Sequence, residues 1–133
     1  MRRVMASVLA AATIGLAATV AAPASAAPPN CNQQTGLGNT VLKSWIPTYN
    51  GNRDCVMGSG NVSDGVKALQ NSLRYCYHQA ITVDRVFGAQ TRSALITVQR
   101  QIGVPADGVY GPVTGARMDW TYVGAFPGCQ RVG

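Results

Sequence analysis

Hydrolytic chemistry in a small protein needs paired carboxylates, a nucleophile beside an imidazole, or a metal held by His, Cys and acidic side chains. This sequence is poor in all three. Its acids are Asp54, Asp64, Asp84, Asp107 and Asp119, there is no Glu, and His78 is the one imidazole. A glycosidase would have to take both carboxylates from those Asp, yet Asp84 and Asp107 sit in turn motifs. Cys31, Cys55, Cys76 and Cys129 are never closer than the 21 positions from Cys55 to Cys76. That is far from the C-x-x-C or H-x-x-x-H spacing of a zinc site. The expectation is a protein that is not an enzyme and carries no metal or cofactor.

Residues suited to binding are easier to find. Tyr75, Tyr77 and His78 cluster where a helix is expected to end, so at least one ring faces solvent and suits stacking on a saccharide. Arg85 lies at a turn, where its forked donors can pair a carboxylate. Tyr110 is a further candidate platform. It and Phe87 read first as core plugs, because each precedes a Gly within an apolar pattern. Gln70 and Gln99 read as partners of backbone groups.

The N-terminus sets the compartment. Arg2 and Arg3 precede an apolar run over residues 4–22, followed by Pro23 and Ala24-Ser25-Ala26, small residues of the kind a signal peptidase reads. A membrane-spanning anchor is the competing reading, since about 20 apolar residues suffice to span. The Ala-rich composition and the small-residue triplet favour a cleaved leader over 1–26. The chain is then secreted, extracellular or wall-associated, with no stable membrane span after cleavage. An even number of Cys in an exported small domain reads as two disulfides, with three pairings open. Beyond the leader, nine Lys and Arg face five Asp. The cations are scattered without a run, so an anionic polymer of the envelope fits better than nucleic acid.

The elements that must position these residues follow from periodicity. Residues 27–60 are rich in Gly, Asn, Pro, Thr and Ser and read as an irregular arm tied down by Cys31 and Cys55, with an apolar island at Val41, Leu42, Trp45 and Ile46. Val62, Val66, Leu69 and Leu73 recur at helical steps, predicting a helix over 64–77 capped by Ser63 or Asp64. Leu95, Val98 and Ile102 predict a second, ending at Gly103 with Pro105 beyond. A third starts at Pro112 and carries Val113, Ala116 and Met118 or Trp120. The tail returns to Gly, Pro and Arg, pinned by Cys129.

One spacing occurs twice. Asp84, Val86, Phe87, Gly88 and Thr91 align with Asp107, Val109, Tyr110, Gly111 and Thr114 at an offset of 23 residues. In each copy Asp closes a turn through its side chain, Val and the aromatic dip into the core, Gly eases the backbone ahead of a helix, and Thr enters its first turn.

Together with Val66, Leu69-Gln70, Leu73, Ala94 and Val98-Gln99, this repeat resembles the peptidoglycan-binding-like domain of bacterial wall hydrolases. That pattern runs V-x-x-L-Q-x-x-L, D-G-x-F-G-x-x-T, A-x-x-x-F-Q, then a second D-G-x-x-G-x-x-T, and Gly108 supplies its second D-G. The resemblance spans residues 63–120. It implies an all-α fold, a compact three-helix domain over 61–122, to which the irregular disulfide-tethered arm over 27–60 and the tail over 123–133 are additional. It also implies a secreted, non-catalytic module whose partner is peptidoglycan, through glycan or stem peptide. The alternative is an exported interaction protein or inhibitor that reuses the scaffold to bind a wall enzyme or another protein. Two positions depart from the pattern. Arg85 replaces Gly, predicting a turn that is looser or lacks a positive-φ residue, and Val98 replaces an aromatic.

Overall fold

The computed structural model describes residues 19–133, so the leader expected over 1–26 lies for the most part outside the described residues. The helices form where periodicity places them. Ser63 caps α1 (Asp64–Tyr75), its Oγ accepting from the Val66 N–H at 3.2 Å. That bond satisfies one of the orphan donors at the helix start. Val66, Leu69 and Leu73 face the core. The helix stops two residues short of the expected Tyr77, because Cys76 turns into a disulfide and His78 takes a positive φ of 54°. Next, α2 (Ala89–Ile102) ends at Gly103, left-handed with φ 72°. Pro112 opens α3 (Pro112–Arg117), which gives way to strand before Trp120.

The all-α expectation fails at both ends of the chain. The supposed arm supplies β1 (Gln33–Gly38) and β2 (Lys43–Thr48), and the segment beyond α3 supplies β3 (Asp119–Val123) and β4 (Gly128–Arg131). They form one antiparallel sheet in the order β1-β2-β3-β4, so the protein is α+β. The Asn39 side chain closes the β1–β2 turn by accepting from the N–H groups of Val41 and Leu42, at 2.9 and 2.8 Å. Along β2, Ser44, Ile46, Pro47 and Thr48 are buried while Trp45 is half-buried. So short a strand, covered on both faces at its end, shows no clean alternation to stand out from a Gly- and Asn-rich background. The decisive pairings, Lys43 with Val123 and Ser44 with Tyr122, join segments from opposite ends of the chain. No local pattern announces such a partnership.

One core serves both layers. Ile46, Cys31, Cys55 and Met57 from the N-terminal segment pack with Leu69, Leu73, Phe87, Leu95, Val98 and Trp120. Trp120 lies at its centre, fully buried, donating its Nε1–H to the Gly115 carbonyl at 3.0 Å and meeting Tyr110 edge-on at 5.9 Å between ring centroids. The disulfides are Cys31–Cys55, which ties the strand-bearing segment to itself, and Cys76–Cys129, which ties the end of α1 to β4. No helix among the described residues is long and apolar enough to cross a membrane.

Candidate functional site

The repeated spacing builds two matching hydrogen-bonded latches. In the first, the buried Gln70 carboxamide donates to Asp84 Oδ1 at 2.8 Å, to the Val86 carbonyl at 2.9 Å and to Thr91 Oγ1 at 3.0 Å. Its oxygen accepts from the backbone N–H groups of Asp84 and Arg85, at 3.1 and 2.9 Å. In the second, Gln99 donates to Asp107 Oδ1 at 3.1 Å, to the Val109 carbonyl at 2.9 Å and to Thr114 Oγ1 at 3.2 Å, and accepts from the Gly108 N–H at 2.9 Å. Each Asp also accepts from the N–H two residues on, Val86 or Val109, both at 2.9 Å. A buried carboxamide left without partners would cost stability, and here both its ends are occupied. The Gln70 amide, followed by the Val86 N–H, holds the Asp84 carboxyl below the usual carboxylate range.

The latches relocate the special backbone geometry. Gly88 and Gly111 are extended, with φ of −97° and −153°, and a Cβ on either would meet nothing closer than Val56 at 3.8 Å. Neither glycine is required by backbone strain. The left-handed residues are those after each Asp: Arg85 with φ 69° and Gly108 with φ 71°. The turn at Arg85 is therefore as tight as its counterpart, contrary to the looser turn expected from losing Gly. The Gln70 oxygen grips the Arg85 N–H, while the guanidinium pairs with Asp64 Oδ1 at 2.7 Å.

The five candidate ligand contacts occupy different environments. Tyr110 is 2 % exposed, and burial raises its hydroxyl far above the ordinary phenol value. Tyr77 is half-buried, and its hydroxyl accepts from the Asp119 N–H at 2.7 Å; burial raises its pKa too. Arg85, Tyr75 and His78 are exposed. They do not converge. Arg85 pairs with the first residue of α1 and Tyr75 is its last, roughly 16 Å away at 1.5 Å per residue.

Tyr75 instead borders a groove between α1 and the sheet, with Asn71, Trp45, Thr121 and Tyr122. The groove opens where β2 and β3 stop pairing. Beyond Ser44–Tyr122, the Thr121 N–H donates to Ser72 Oγ of α1 at 3.3 Å. Sequence reasoning left Trp45 in an apolar island and did not single out Tyr122. Aromatics in segments without helical period were the one available signal.

Comparison with known proteins decides what this scaffold is. A family model described as a putative peptidoglycan binding domain matches residues 62–118, the segment that contains both latches. Residues 62–118 belong to that family. Two solved structures resemble the chain that carries this peptidoglycan-binding domain. One is a peptidoglycan-binding protein from Clostridioides difficile in complex with glutamine hydroxamate, 28% identical, covering 61% of this chain and 53% of that one, with TM-score 0.48. The chain thus spans about half the length of that relative. The other is the SleB N-terminal domain, 36% identical, covering 46% of this chain and 84% of that one, with TM-score 0.44. No curated protein matches. The strands and both disulfides arise largely from residues outside the matched segment.

Proposed function

We propose that the protein is a secreted, non-catalytic module that binds peptidoglycan directly, with residues 61–122 as its wall-binding core. The observation that carries this is the family match over 62–118, in a segment whose two Gln–Asp–Thr latches are both complete. Two disulfides fit an oxidising location outside the cell. Scattered cations in excess over Asp suit a polymer rich in carboxylates and phosphates. The absence of Glu from the sequence and the commitment of Asp84 and Asp107 to turns leave Asp54, Asp64 and Asp119 as candidates for an acid–base pair, and the last two are ion-paired with Arg85 and Arg131.

The test is co-sedimentation of the purified, oxidised protein with insoluble peptidoglycan sacculi stripped of protein. Direct retention, lowered by soluble wall fragments, is the expected result. Retention that requires other exported proteins would replace this reading with that of an interaction protein. Release of soluble sugar or peptide from the sacculi would overturn its non-catalytic part.

A further inference from the structure

The groove beside Tyr75 is largely the work of the added strands. Trp45 comes from β2, Thr121 and Tyr122 from β3 and Gly128 from β4, while Asn71 and Tyr75 are the contribution of the family segment. Its volume is about 460 Å³, inside the range of roughly 300–1,000 Å³ in which small ligands seat. Three aromatic side chains line it, Tyr75 exposed and Trp45 and Tyr122 half-buried, and Tyr and Trp rings join an apolar face to a polar edge. Sugar rings offer just that mixture, with apolar C–H faces and hydroxyls at their edges. The half-buried Asn71 carboxamide makes no hydrogen bond among the described residues, which leaves donors and an acceptor for acetamido or hydroxyl groups.

Charge narrows the ligand further. Lys43 Nζ lies 5.3 Å from the centroid of the Trp45 ring, and the Arg74 guanidinium lies 5.6 Å from that of Tyr75. Two cations therefore flank the aromatic walls, and no carboxylate side chain lines the groove. A neutral or anionic ligand fits, and a cationic one is disfavoured.

The site is also held in shape. The Cys76–Cys129 bridge fixes the residue after Tyr75 to β4. A Cβ on Gly128 would come within 2.7 Å of the Tyr122 hydroxyl, so the glycine leaves the place where that phenol rests.

We propose that this groove seats an aminosugar glycan strand bearing carboxylates, with sugar rings against Trp45, Tyr75 and Tyr122 and carboxylates against Lys43 and Arg74. The proposal rests on the wall-binding reading above and assigns the contact to the sheet–helix groove instead of to the latches.

Calorimetric titration tests it with two soluble probes: a muramic-acid-containing tetrasaccharide without stem peptide, and the neutral N-acetylglucosamine tetramer. The acidic sugar should bind more tightly. Tyr75→Ala should weaken both by about tenfold or more, and Lys43→Gln should reduce the preference for the acidic one. Tyr75 is 59% exposed, so its removal leaves the fold intact, which an unchanged Tm verifies. Gly128→Ala supplies an independent variant, since its Cβ would meet the Tyr122 hydroxyl and adjoining ring carbons at 2.7–3.1 Å and shift that ring, and it should also weaken binding. If Tyr75→Ala and Gly128→Ala bind like the wild type, the groove proposal falls, and continued retention on sacculi would leave the wall reading standing. Wild-type protein that binds sacculi but neither sugar overturns the proposal as well. Saccharide binding that is lost in both variants, by a protein that sacculi do not retain, would uphold the groove and sink the wall reading.

Discussion

Gln70 and Gln99 are the side chains on which most local order converges, each joining a turn Asp, a helix-opening Thr and backbone groups between them. Replacing Gln99 by Leu keeps the bulk but strands the buried Gly108 N–H and removes the donor to Val109. A loss of about 2–4 kcal/mol is expected in urea denaturation, because unpartnered buried polar groups cost roughly 1–3 kcal/mol each. Asp84 gives a pH-dependent counterpart. Its carboxyl is held below the ordinary range, first by the Gln70 amide, so its ionised form favours the folded state. That contribution is fully present above the unfolded value of about 3.9 and disappears as pH falls through the lower folded value. Asp84→Asn keeps an acceptor and removes the titration. Its Tm should fall less steeply with acid over that window than the wild type's, and an identical slope would refute the linkage.

At the scale of elements, the two turn copies solve one geometric problem with different residues. Gly108 accepts φ 71° without a side-chain penalty, whereas Arg85 accepts φ 69° with one. Left-handed backbone costs a non-glycine residue about 1–2 kcal/mol, and the exposed Arg85–Asp64 pair returns about 0.2–1 kcal/mol. The pattern predicts an asymmetry. Gly108→Ala should destabilise by about 1–2 kcal/mol, increased by the approach of its Cβ to Arg92 Cγ at 2.8 Å. Arg85→Gly should cost nothing measurable in chemical denaturation. A large loss from Arg85→Gly would mean that the ion pair holds the turn.

At the scale of the molecule, the sheet depends on contacts between distant parts of the chain. β2 and β3 share two residue pairs, and the Cys76–Cys129 bridge spans 53 residues to hold β4 beside the end of α1. Replacing both of those Cys by Ser should cost about 2–4 kcal/mol. Amide exchange should rise most in β3 and β4 while the α2 core stays protected. Uniform loss of protection would show instead that sheet and helices unfold as one unit.

The amino-acid order alone determined the presence of three helices, a cap at Ser63 or Asp64, the stop at Gly103 and the duplicated Asp–aromatic–Thr turns. All of these are encoded within a few residues, through side chains that meet at helical spacing or bond to nearby backbone. Folding in three dimensions decided the rest. Strand pairing of Lys43 with Val123, the choice among three disulfide pairings, and the meeting of Trp45 with Tyr75 and Tyr122 all join residues far apart in the chain. Local composition is blind to such meetings, because it records what each segment prefers and not which distant surface will cover it. That is also why Arg85 could be read as a lost glycine. Only the Gln70 oxygen on its N–H and the Asp64 carboxylate on its guanidinium explain how a bulky cation stands where φ is positive.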